Sequence, residues 1–194
     1  MKSFLKSLQK GWNNTAVLFI LILVFLFPSL SRAEGVAVVL KSGYFSPLDT
    51  AFREIYGGGM TYGGEVSLAV WKNLDLLLTG SRFARTGELT FTKDETQVKI
   101  TRFGWAVRYR LNAGKFQPYA GMGLHYTAFR ETNFIGDVST AKSGLSATVG
   151  SLYALTSRLI IDLSVEYFSC RINPTAVEVD IGGWCVGVGI GYSF

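Results

Sequence analysis

The sequence predicts an all-β fold, eight antiparallel strands closed into a transmembrane β-barrel and preceded by a cleaved signal peptide. Three observations carry this reading. Past residue 33 the apolar residues alternate with period two, the alternating segments number eight, and tight and long connections take turns between them.

The leader comes first. Lys2, Lys6 and Lys10 precede the uncharged run Thr15 to Ser31, whose apolar centre AVLFILILVFLF is followed by Pro28 and SLSRAEG. A basic stretch, an apolar stretch and small residues, Ser31 and Ala33, at the −3 and −1 positions form the layout of a secretory signal peptide cleaved after Ala33. An uncleaved anchor is the rival, but the apolar stretch Ala16 to Phe27 has 12 residues, against about 20 for a spanning helix. The expected organisation is a signal peptide over 1–33 and one barrel domain over 34–194. The whole chain carries a net charge of +5, yet four of its 19 basic residues leave with the leader, so 15 face 14 acidic ones in the remainder. The basic balance therefore belongs to export and makes no case for a nucleic-acid partner. No Cys follows the cleavage site, so there is no lipoprotein signature.

The strands are read over 36–46, 61–71, 74–84, 98–111, 117–130, 143–154, 159–170 and 176–194. In RFGWAVRYRL, residues 102–111, Phe103, Trp105, Val107, Tyr109 and Leu111 share one face, and Arg102, Gly104, Ala106, Arg108 and Arg110 the other. Ile161, Leu163, Val165 and Tyr167 likewise oppose Asp162, Ser164 and Glu166. Val186, Val188, Ile190, Tyr192 and Phe194 oppose Cys185 and glycines. One face suits hydrocarbon and the other water or counter-charges.

The connections 72–73, 112–116 and 155–158 are tight, while 47–60, 85–97, 131–142 and 171–175 are mostly longer, the asymmetry of an outer-membrane barrel. Aromatics fall into two girdles. Trp71, Tyr109, Tyr119, Tyr153, Tyr192 and Phe194 lie toward the tight turns, and Tyr44, Tyr62, Phe83, Phe103, Tyr126, Tyr167 and Trp184 toward the long connections. The 22 glycines suit a narrow lumen. A soluble ligand-binding barrel of lipocalin type alternates equally well but would put its apolar face inside. Non-apolar faces rich in Gly, Ser and Thr, and aromatics at strand ends, favour the membrane barrel.

The final GYSF, with Tyr192 and Phe194, resembles the C-terminal strand signal of bacterial outer-membrane barrels. The resemblance implies recognition by the barrel-assembly machinery and residence in the outer membrane among its lipid. Together with KSGYFSP at 41–47, FREIYGGG at 52–59, PYAGMGLHY at 118–126 and IGGWCVGVGIGYSF at 181–194, it resembles the outer-membrane β-barrel domain family, which includes opacity-type porins and OmpA- and OmpX-like barrels. That family hosts adhesins, structural anchors and small conduits.

Chemistry is sought on the inward faces, which hold Glu65, Asp75, Arg102, Arg108, Arg110, His125, Asp162 and Glu166. Charges in a narrow barrel must be paired, so a lumenal salt-bridge network is expected, with Asp75 opposite Arg108 if their hairpin centres near Phe91–Thr92. Charges lining a conducting pore are the functional alternative. His125 invites comparison with lipid A deacylases of the PagL type, which pair His-x-Ser with a Glu on the outer surface. Here Thr127 stands in the serine position and Glu131 lies downstream, but parity turns His125 inward, away from lipid. Residues 46–60 can hold one helical turn, with Asp49 at its start and Gly57–Gly59 at its end. Residues 88–100 read as a hairpin projecting above the membrane. If the last hairpin centres near Val177–Glu178, Cys170 falls opposite Cys185, which allows a disulfide, with two free thiols as the alternative. No metal-ligand spacing or cofactor fingerprint is present. The expected function is a non-enzymatic barrel with a structural or surface-interaction role, its loops meeting an extracellular ligand or host surface. A small OmpW-like conduit for ions or hydrophobic compounds is second, and an outer-leaflet lipid A-modifying enzyme third.

Overall fold

A computed structural model of the chain describes residues 35–88, 94–111, 113–134, 136–172 and 179–194. The signal peptide, the tip of the 88–100 hairpin and the Val177–Glu178 midpoint lie outside the described residues. Gly35–Ser193 form one compact unit. Its strands are β1 (Val36–Pro47), β2 (Gly59–Trp71), β3 (Leu74–Glu88), β4 (Glu95–Arg110), β5 (Phe116–Asn133), β6 (Gly136–Ala154), β7 (Leu159–Ser169), β8 (Arg171–Ile172), β9 (Val179–Asp180) and β10 (Gly183–Ser193). A single short helix among the described residues, α1 (Thr50–Tyr56), follows β1. Eight strands close in the order β1-β10-β7-β6-β5-β4-β3-β2, and β8 pairs with β9 as a separate ribbon. Closure leaves no sheet edge along the apolar zone, which is what lets strands cross a membrane.

The faces settle which side meets hydrocarbon. Leu78, Phe103, Trp105, Met122, Tyr126, Leu163 and Val186 all point outward and are exposed, Met122 to 73%. Glu65, Asp75, Arg108, His125 and Asp162 point inward and are buried. An apolar exterior around a charged interior is the reverse of a soluble ligand-binding barrel. Two aromatics assigned to the girdles belong inside instead: Tyr119 is 6% and Phe83 4% exposed. Both sit on inward positions of otherwise alternating strands.

The wall is uneven in height. The β3–β4 ladder runs to Glu88 opposite Glu95, and the β5–β6 ladder to Asn133 opposite Gly136. The 131–142 stretch is therefore strand continued into a tight turn, not a loop. On the other side β7 stops at Ser169, and β6 pairs with β7 only from Leu145 onward. The last segment is also shorter than its alternation indicates, because Gly182 turns back on the Asp180 carboxylate (2.8 Å) and β10 starts at Gly183.

Inside the tall wall lies α1. The Asp49 carboxylate accepts the Phe52 N–H at 2.8 Å, and Gly57, at φ 64°, ends the helix with its N–H on the Arg53 carbonyl. Phe52 and Tyr56 face into the barrel mouth. The Tyr56 hydroxyl meets that of Thr96 at 3.0 Å, and Thr96 donates to Glu131 at 3.2 Å. Burial raises the Tyr56 pKa, so the phenol stays neutral.

Candidate functional site

The lumen holds every inward charge named from the sequence, divided between two levels. Near the tight turns runs a continuous chain of ion pairs. Arg110 Nε lies 2.8 Å from Asp75 Oδ2, and Arg108 Nε donates to the same oxygen at 3.0 Å. Arg108 Nη1 then reaches Glu65 at 2.6 Å, Lys41 Nζ bridges Glu65 at 2.7 Å and Asp162 at 2.6 Å, and the Tyr119 hydroxyl donates to Asp162 at 2.7 Å. Three cations meet three carboxylates, so the chain is neutral as a whole. Arg108 is 2% exposed and Asp162 is fully buried. Desolvating such ions costs several kcal/mol each unless they are paired. Asp75 and Arg108 are ladder partners on β3 and β4, which fixes the first link by backbone register.

Absent side chains make room for those present. A Cβ at Gly150 would lie 2.6 Å from the Tyr119 hydroxyl oxygen, and one at Gly144 2.6 Å from His125 Nε2. These β6 notches receive side chains from the neighbouring β5.

The upper level begins with Arg102. It grips Glu166 through both oxygens (3.0 and 3.3 Å), donates to Ser81 at 3.1 Å and lies over the Phe168 ring at 3.8 Å. Above it Phe45, Phe83, Val98, Ile100, Phe129 and Phe168 pack with Phe52, Tyr56, Ile172 and Ile181 into an apolar plug. Phe45 stacks on Phe168 and meets Phe83 edge-on, each at 5.1 Å. Between ion chain and plug, a cavity of about 110 Å³ is bordered by Lys41, Glu65, Arg102, Arg108, His125 and small residues such as Ser146, Thr148 and Ser164.

His125 packs edge-on against Phe168 at 5.6 Å. Thr127 is fully buried on the same inward face, and Glu131 is engaged by Thr96. The three share a strand face directed into the barrel and do not form a set facing lipid. The disulfide is corrected as well: Cys170 and Cys185 are free thiols. Cys185 lies opposite Glu166, while the Cys170 carbonyl accepts from Ile181, so the hairpin midpoint falls two residues earlier than expected. The cysteines are therefore offset by four residues, about 13 Å of strand, against a Cα limit of about 7 Å for a bridge. Burial raises the Cys170 thiol pKa.

Two members of the ion chain, Lys41 and Tyr119, were not among the expected site residues. Lys41 shares parity with Val39 and Phe45, which the structure turns inward, but the two faces of β1 are equally apolar in the sequence.

The model of the outer membrane protein beta-barrel domain matches residues 17–194. Outer membrane protein W of Vibrio cholerae is 30% identical over 127 residues, a match covering 56% of this chain and 58% of that relative. The matched stretch thus spans a little over half of the relative's length. Among solved structures, Neisserial surface protein A superposes with a TM-score of 0.67 at 16% identity, covering 83% of this chain and 98% of that one. OprG from Pseudomonas aeruginosa gives 0.65 at 17%, covering 84% and 97%. At such identities the likeness is one of fold.

Proposed function

The chain belongs to the outer membrane protein beta-barrel domain family and resides in the bacterial outer membrane; from that premise we propose that it is a closed, non-enzymatic barrel that acts through its long-hairpin end. The observation that carries the reading is the double closure of the lumen: a neutral ion chain from Arg110 to Asp162 below, and an apolar plug capped by α1 above. A narrow barrel filled in this way has no continuous water path. The tall β3–β6 wall would then stand outside the cell, where it presents Glu88 and Glu95 to an extracellular ligand or surface. Purified protein in planar bilayers should show no steady conductance. Stable ion-selective channels whose selectivity changes in Arg108→Ala would overturn the closed barrel.

A second reading, a small conduit for hydrophobic compounds, has its own support. Identity to outer membrane protein W favours it. So does the upper lumen, which is apolar where the wall between β6 and β7 is lowest. Uptake of a hydrophobic dye into vesicles carrying the protein, lost when Phe45 or Phe168 is replaced by Asp, would place this reading first.

A further inference from the structure

Outward positions of the barrel strands carry no charge from the lower aromatics up to Phe103 and Tyr126. Above that level charge appears on one wall alone. Arg82 on β3, Lys99 on β4 and Arg130 on β5 face outward on three consecutive strands. Lys99 is directly opposite Arg130, and Arg82 is opposite Thr101, the next outward residue below Lys99. Like charges directly opposed on one sheet face destabilise it. The other ladder neighbour of Lys99 is Ala84, which supplies no compensating carboxylate. Arg130 touches Asp137 at 3.1 Å, an exposed contact. Neither Arg82 nor Lys99 has an ion pair among the described residues. At the same height the low wall offers Ser46, Met60, Ser169 and Trp184, none of them charged.

Height identifies what such a patch meets. Lys99 and Arg130 each lie four residues beyond a belt aromatic, about 10 Å along the membrane normal for a tilted strand, and Arg82 about 5 Å. Belt aromatics mark the interface, and the polar layer beyond the hydrocarbon is about 5–8 Å deep on each side. Arg82 stands in that layer, and the long side chains of Lys99 and Arg130 reach back into it.

We propose that Arg82, Lys99 and Arg130 form a binding site for the phosphate groups of a lipid head group packed against the β3–β5 wall. A phosphate between Lys99 and Arg130 turns their repulsion into two charge-assisted contacts, with Arg82 closing the site from below. The inference rests on the outer-membrane placement and is independent of whether the lumen conducts.

The test is native mass spectrometry of the full-length barrel in neutral detergent, with lipid A as probe. Each basic residue near an anionic surface strengthens association about fivefold. The triple variant Arg82→Gln, Lys99→Gln, Arg130→Gln should therefore retain lipid A about a hundredfold less. Lys72→Gln, at the opposite end, should retain it like the wild type. Lys99→Gln alone removes the opposed pair, so it should unfold at higher temperature in lipid-free detergent and lose the extra stability that lipid A gives the wild type. Three results would overturn the proposal: equal retention of dephosphorylated lipid A, equal loss in Lys72→Gln, or displacement of lipid A by millimolar inorganic phosphate, which would indicate a soluble-anion site.

Discussion

The two halves of the lumen solve one packing problem with opposite chemistry. Below, three cations and three carboxylates hold one another at 2.6–3.0 Å. Above, aromatic rings pack at about 5 Å spacing with no polar partner required. The difference lies in tolerance. An apolar plug depends on volume, which neighbours can partly restore by repacking. An ion chain depends on charge balance, and no rotamer change replaces a missing carboxylate.

The sharpest way to break this comparison is a conservative change in each half, read as the urea midpoint of unfolding in lipid vesicles. Asp75→Asn keeps the shape but leaves Arg108 and Arg110 sharing a neutral amide. Its expected cost is about 3–5 kcal/mol, the range for removing one partner of a buried pair, with export intact. Phe45→Leu in the upper half loses two ring contacts and some volume and should cost about 1–3 kcal/mol, less than the ion-chain change. If the order is reversed, the plug and not the ion chain sustains the barrel. The smallest effect concerns the lid over the plug. Asp49→Ala removes the α1 cap and should cost about 1 kcal/mol, with amide exchange faster in residues 50–56 than in β1 and β2. Equal protection in both forms would show that Phe52 and Tyr56 hold the helix without its cap.

Much of this division was legible beforehand. Asp75, Arg102, Arg108, Arg110, Asp162 and Glu166 each stand opposite an apolar run, so parity alone turns them inward. Lys41 was hidden because β1 shows no contrast: Val39 and Phe45 on one face look as apolar as Leu40 and Tyr44 on the other. Tyr119 and Phe83 were read as interface aromatics because they lie near strand ends, and end position gives no direction. The cysteine register failed for a different reason. A hairpin midpoint is set by backbone turns, and an error of two residues there displaces every pair by four. The cation patch lay within predicted strands, Arg82 in 74–84, Lys99 in 98–111 and Arg130 in 117–130. Only the β4–β5 register sets Lys99 directly opposite Arg130, and alternation along one strand carries no register between strands.

Lys41 links the earliest barrel strand to the latest hairpin. It sits on β1, and its ammonium reaches past Gly189 of β10 to Asp162 of β7, while also holding Glu65 of β2. In a sheet whose seam between β1 and β10 is still open, Asp162 has no cation at hand and the chain from Arg110 to Lys41 carries one uncompensated positive charge. Charge neutrality is thus reached only when the ring shuts. Zipping up the seam and discharging the interior are one event, which makes the finished barrel a latched object and a half-closed one an electrostatically strained intermediate.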